Sequence, residues 1–164
     1  MKPRAATPSD APAIARIYNE GIDDRVATFE TRHRTAHDVV QWLDGRYPVV
    51  VVEDDDGSVI AFAATSTYRP RDCYAGVAEF SVYAGRAARG RGAGRTAMDA
   101  LFAAARAAGF WKLVSRVFVE NTASRSLLRS IGFREVGVYE RHGQLDGEWR
   151  DVVIVEKLLD SSQG

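Results

Sequence analysis

The sequence predicts an α/β fold in which one mixed sheet carries helices on both faces. Three observations lead there. Short apolar runs of strand length alternate with stretches whose apolar residues recur every three or four positions, in the order β-α-α-β-β-β-α-β-α-β-β. Val77–Gly109 reads as a strand, a loop with four arginines and four glycines, and an alanine-rich helix stopped by glycine. A further strand follows at once, which makes a right-handed βαβ unit. The end of the chain holds two strand-like runs joined by a loop containing Asp146-Gly147, a closing antiparallel hairpin.

Each element has its own signal. Lys2–Ala6 is a short first strand. Ser9 and Asp10 offer N-caps to a helix running to about Ile22, with Ile14, Ile17, Tyr18 and Ile22 along one face. Asp23–Arg34 exceeds a tight turn. It reads as a lid or substrate wall, or equally as a surface connection with Phe29 buried. Thr35–Leu43 is a second helix, where Thr35 and Asp38 have the spacing of a capping box. Val49–Glu53 and Ser58–Tyr68 form a hairpin across the Asp54–Gly57 turn.

The polar loop Arg69–Tyr74 leads into the strand that begins at Val77. Alternation sets Val77, Glu79, Ser81 and Tyr83 on one face, and Ala78, Phe80, Val82 and Ala84 on the other. The helix from about Gly92 to Ala108 lines up Met98, Leu101, Phe102 and Ala105, and Gly109 closes it. Trp111–Phe118 is a strand and Asn121–Ser130 a short helix capped by Asn121 or Thr122. Phe133–Glu140 and Trp149–Leu159 are the last strands. Residues 1–160 read as one domain and 161–164 as a flexible tail.

Composition narrows the function. The 164 residues are 46% hydrophobic and 27% charged, ordinary for a soluble globular chain. Lysine plus arginine and aspartate plus glutamate both total 22, so neither nucleic acid nor an anionic membrane is the expected partner. Positive charge is instead local: Arg86, Arg89, Arg91 and Arg95 fall within ten residues, which suits a small polyanion. Cys73 is alone, so no internal disulfide forms. No apolar run approaches the ~18 residues of a membrane span, and Met1–Asp10 has no signal-peptide character. A cytoplasmic protein is expected. His33, His37 and His142 are scattered without ligand spacing, so no metal is expected.

A strand feeding a glycine-rich turn at a helix N-terminus is an anion site, because the free N–H groups and the helix dipole both favour negative charge there. The loop lacks the Gly-Lys-Ser/Thr of a nucleoside-triphosphate P-loop and the spacing of the dinucleotide fingerprint. Arg89-Gly90-Arg91-Gly92-Ala93-Gly94 instead resembles the R/Q-x-x-G-x-G/A pyrophosphate loop of the GNAT superfamily of acetyl-CoA-dependent N-acetyltransferases. Ala78-Glu79-Phe80-Ser81-Val82-Tyr83 resembles the A-E-x-S-V-Y strand of its phosphinothricin acetyltransferase branch, and Asn121-Thr122-Ala123-Ser124 its N-x-x-S/A helix start. The resemblance covers nearly the whole chain.

It implies the GNAT fold, with two central parallel strands that splay to admit the pantetheine arm. It assigns the coenzyme to Arg89 through Arg95 (with Gly90, Arg91, Gly92, Ala93 and Gly94), to the backbone of Val82, Tyr83 and Ala84, and to Asn121 and Ser124. It makes Glu79 the general base. Phe29, Arg69, Arg71, Tyr74 and Tyr83 fall with Glu79 on substrate positions, which implies a small amine acceptor with acidic groups. Family members are often homodimers, so a homodimer is expected.

Two departures matter. Where many GNAT enzymes carry an acidic Tyr, and phosphinothricin enzymes a His, this chain has Leu128, which cannot donate a proton. The hairpin around Gln144–Asp146 is longer than its counterpart in close phosphinothricin relatives. Other readings stay open: a protein N-terminal, polyamine or antibiotic acetyltransferase, or a coenzyme-binding sensor without turnover.

Overall fold

The computed structural model describes residues 1–159 and has the predicted element order. The proposed tail, 161–164, lies outside the described residues. The strands are β1 (Lys2–Ala5), β2 (Val49–Glu53), β3 (Val59–Thr67), β4 (Val77–Ala84), β5 (Lys112–Phe118), β6 (Arg134–Leu145) and β7 (Glu148–Leu158). The helices are α1 (Ala11–Asp24), α2 (Ala36–Val40), α3 (Ala93–Ala107) and α4 (Thr122–Ser130). One seven-stranded sheet runs β1-β2-β3-β4-β5-β7-β6, and only β4 and β5 are parallel.

Two apolar layers sandwich the sheet. On one face α3 buries Met98, Leu101 and Phe102 against Ala78, Phe80, Leu113 and Val117, with Leu128 of α4 in the same layer. On the other, α1 buries Ile14 and Ile17 against Val51, Phe62 and Ala64, with Val39 of α2 beside them. The alternation of β4 divides between the layers as its sequence predicts. Ala78 and Phe80 belong to the α3 layer, while Tyr83 packs on the α1 layer.

Three local expectations change. Asp10 does not cap α1 with its side chain. It turns back to accept from Thr7 N–H (2.8 Å) and from Arg4 (2.7 Å), because an arginine on β1 offers a stronger partner. The Thr35–Asp38 capping box is present, but α2 stops at Val40. Finally, β6 does not end at Glu140. It continues to Leu145, since a bulge sets residues 140–142 against Asp151 and the ladder resumes at Gly143–Arg150.

Tyr83 ties α1 to the sheet. Its ring stacks on Phe62 (5.5 Å) and meets Tyr18 edge-on (5.1 Å). A Cβ on Gly21 would come within 2.7 Å of that ring. With Phe62 behind it, the ring has little room to retreat. Gly21→Ala is expected to cost about 1–3 kcal/mol, read as a lower Tm. An unchanged Tm would mean that the ring moves freely.

Candidate active site

β4 and β5 pair only at Val77–Lys112, Ala78–Leu113 and Glu79–Val114. Beyond Glu79 they part, although β4 stays paired with β3 up to Ala84–Ala61. Ser115 Oγ donates to Phe80 O (2.9 Å) at the fork, a side chain taking the place of a ladder bond. Gly85 N–H donates to Ile60 O (2.8 Å), so the odd residues of β4 turn their backbone groups to β3. By the period of two, the N–H and C=O of Val82 and the N–H of Ala84 face the gap. The family resemblance implies a backbone donor near Val82 or Tyr83, and of the two the register turns the Val82 N–H to the gap.

The gap opens into a cavity of about 530 Å³. Val82, Tyr83 and Ala84 form one wall, Arg89, Gly90, Gly92, Ala93, Gly94 and Arg95 another, and Asn121 and Ser124 a third. Every residue assigned to the coenzyme borders it except Arg91, which turns to Asp54 in the β2–β3 turn (3.2 Å). Gly90 (φ 80°) and Gly92 (φ 87°) hold left-handed conformations that close the turn at the start of α3, where L side chains are strained. The first-turn N–H groups of α3 have no intrahelical acceptor and face the cavity mouth.

Charge in the loop is partly balanced from within. Asp24, at the end of α1, pairs with Arg86 (2.9 Å) and Arg89 (2.6 Å). The hydrogen bond from Arg86, then that from Arg89, hold its carboxyl below the usual range. Arg95 has no ion-pair partner among the described residues and borders the cavity. Asn121 caps α4 through Ser124 N–H (3.2 Å) and donates to Val26 O (3.1 Å), tying the 25–34 segment across the mouth.

Glu79 stands on the opposite face of the sheet from α3, half-buried, and Arg116 of β5 donates to its Oε1 (3.1 Å). Arg116 also lies 3.4 Å from His142 Nε2, on the β6 bulge. A second cavity, about 430 Å³, lies over the same face, with Tyr18, Arg34, Trp42, Tyr47, Ser66 and Ser81 among its walls. Ser81 borders both cavities, so they meet at β4 two residues after Glu79.

The remaining predicted substrate residues scatter. The Arg69 guanidinium lies over the Tyr68 ring (4.9 Å), and Tyr74 meets that ring edge-on (5.5 Å). Arg71 has no ion-pair partner among the described residues. None of the three borders either cavity. Phe29 meets Phe118 (4.8 Å) in a small cluster with Leu145 and Val152, and its ring lies where a side chain on Gly143 would be. It anchors its loop to the long hairpin. Burial pushes the Tyr83 phenol up, so it stays protonated at neutral pH and cannot serve as a base. Leu128 is 1% exposed and packs in the α3 layer.

Sequence reasoning missed Arg116, His142 and Asp24. Arg116 shares the even positions of β5 with Phe118, so its face was readable. Its partner 37 residues away was not, because the β4–β5 register is set by tertiary structure.

A strand pair forked beside a glycine-rich helix N-terminus, with a carboxylate at the fork, is the arrangement that the family resemblance implies for an acyl-coenzyme transferase. Comparison with known proteins agrees. Residues 4–134 match the family described as acetyltransferase (GNAT) domain. An L-methionine sulfoximine/L-methionine sulfone acetyltransferase of Pseudomonas aeruginosa is 32% identical, covering 98% of this chain and 95% of its own. A phosphinothricin N-acetyltransferase of Alcaligenes faecalis is 33% identical over 96% of this chain and 82% of its own. A Salmonella typhimurium protein whose structure was solved with its cofactor acetyl-CoA superposes with a TM-score of 0.92 at 30% identity, covering 98% of this chain and 95% of its own. The chain belongs to the GNAT family, and it is an N-acetyltransferase.

Proposed function

We propose that the protein transfers acetyl from acetyl-CoA to the α-amino group of a small, acidic, amino-acid-like acceptor such as phosphinothricin or methionine sulfoximine. The observation that carries this reading is the fork after Glu79. It leaves the Val82 backbone unpaired within three residues of a carboxylate on the acceptor face. The relatives named for such acceptors support the substrate class.

In this reading the α3 N-terminus and Arg95 hold the pyrophosphate, while the Val82 edge pairs with the pantetheine amides. Val82 N–H is a fixed donor for the thioester oxygen as negative charge develops on it. Glu79 takes a proton from the acceptor ammonium, directly or through water, and the freed amine attacks the thioester carbon. Coenzyme A leaves readily as a thiolate because its thiol pKa is near 8.5, and the second proton shed by the attacking nitrogen passes to that thiolate through solvent, so Leu128 is no obstacle.

The test is a thiol-release assay with acetyl-CoA against phosphinothricin, methionine sulfoximine, methionine sulfone, the standard amino acids, spermidine and a Ser-Ala-initiated peptide. Turnover confined to the first three is expected. Turnover on spermidine or the peptide alone would replace the acceptor class and keep the acetyltransferase.

A further inference from the structure

We infer that Arg116 binds the α-carboxylate of the acceptor, and that the Arg116–Glu79 pair opens to take the acceptor's zwitterion between its two halves. The inference deepens the proposed function and rests on its acceptor class. Three observations carry it.

The first is distance. In an α-amino acid the amino nitrogen and the carboxylate oxygens are only about 3 Å apart, fixed by covalent geometry. A base for the amine and a cation for the carboxylate must therefore be neighbours. The Arg116 guanidinium lies 3.1 Å from Glu79 Oε1, and no other cation is ion-paired with Glu79 among the described residues. Arg69 and Arg71, on the β3–β4 loop, form no ion pair with Glu79 among the described residues.

The second is position. Arg116 borders the cavity between β4 and β5, so it reaches both the base and the gap from which the acetyl group would emerge. It remains 49% exposed, so an acceptor can reach it. Among the described residues His142 is its one other polar side-chain contact, at 3.4 Å.

The third is charge complementarity. The pair presents one cation and one anion side by side, and the zwitterion presents the opposite charges with similar spacing. As the acceptor carboxylate accepts from the guanidinium, Glu79 loses that donor and gains the ammonium. One ammonium proton then passes to Glu79. The guanidinium, which occupies Glu79 Oε1 in the resting site, is drawn away only by an acceptor that carries a carboxylate. An amine lacking one would leave Arg116 on Glu79 and react slowly.

The experiment compares methionine sulfone with its decarboxylated amine, 3-(methylsulfonyl)propylamine, for the wild type, Arg116→Gln and Arg116→Lys. The acetyl-CoA KM of each variant serves as the folding control. The wild type is expected to prefer the amino acid by roughly 100-fold in kcat/KM, the worth of a charge-assisted pair. Arg116→Gln should abolish that preference, losing activity on the amino acid, mostly in KM, and gaining on the amine, whose reaction no longer waits for the guanidinium to leave Glu79. Arg116→Lys should restore part of it. Equal losses on both acceptors, or none, would overturn the assignment. If the wild type uses both acceptors alike, the carboxylate clamp falls and the small-amine acetyltransferase stands. If it uses neither but acetylates the peptide or spermidine, the proposed acceptor class falls and takes Arg116 with it.

Discussion

Glu79→Gln is expected to lower kcat by roughly 100- to 10,000-fold at neutral pH and to leave acetyl-CoA binding unchanged. The substitution keeps the size of the side chain and an oxygen for Arg116, so it removes charge and basicity rather than packing. Glu79 borders neither cavity wall assigned to the coenzyme, which is why binding should survive. The defect should also depend on pH. As the medium approaches the acceptor's own amine pKa, more acceptor arrives deprotonated and needs no base. The variant's rate should climb with pH and close on the wild type. A neutral-pH rate within a few-fold of wild type would remove Glu79 from the chemistry. Parallel loss of coenzyme binding would make it structural.

Asp10→Ala is expected to be the most destabilising exchange outside the apolar layers. Asp10 is 6% exposed and takes both prongs of the Arg4 guanidinium (2.7 and 2.9 Å) together with Thr7 N–H (2.8 Å). Arg4 also holds Glu53 of β2 (2.6 Å), so one network joins β1, β2 and the start of α1. Without the carboxylate, Thr7 N–H and half of the guanidinium lose their acceptor. Glu53 and partial exposure of Arg4 soften the loss, and about 2–3 kcal/mol is expected.

The pH dependence of this effect has a definite sign. The Arg4 hydrogen bonds, more than any other contact, hold the Asp10 carboxyl below its usual range. Its stabilisation is therefore complete above the unfolded-state pKa of about 4 and disappears as pH falls through the lower folded-state value. Denaturant midpoints of wild type and variant should differ at neutral pH and converge in acid. A gap that stays constant down to pH 2 would mean that packing, not charge, is what the substitution removes.

Much of this architecture was legible because it is written locally. Four valines at Val49–Val52, an Asp-Gly turn and the helical spacing of Met98, Leu101 and Phe102 each state their own structure. The wedge was legible for a different reason: loop and strand keep a recognisable order of residue types, and the cavity gathers them as expected save Arg91. What failed depended on a distant partner: Asp10 prefers Arg4 to its own helix. Phe29 packs on the β6–β7 hairpin, as the surface-connection reading has it, and Arg91 turns to Asp54. The bulge at 140–142 has no sequence mark beyond the extra length of the hairpin, yet it delivers His142 to Arg116.

The backbone of Val82 and Ala84, left without a neighbouring strand, makes the sheet unfinished by design. A molecule that pairs with that edge acts as a missing strand, so its concentration enters the folding equilibrium. At a hundred times its Kd, such a ligand adds about 2.7 kcal/mol to the stability of the native state. Pantetheine is common to acetyl-CoA and to free coenzyme A, and both would complete the sheet. The thermal resistance of the enzyme would then report the total coenzyme A pool, whereas its turnover would report the acetylated fraction.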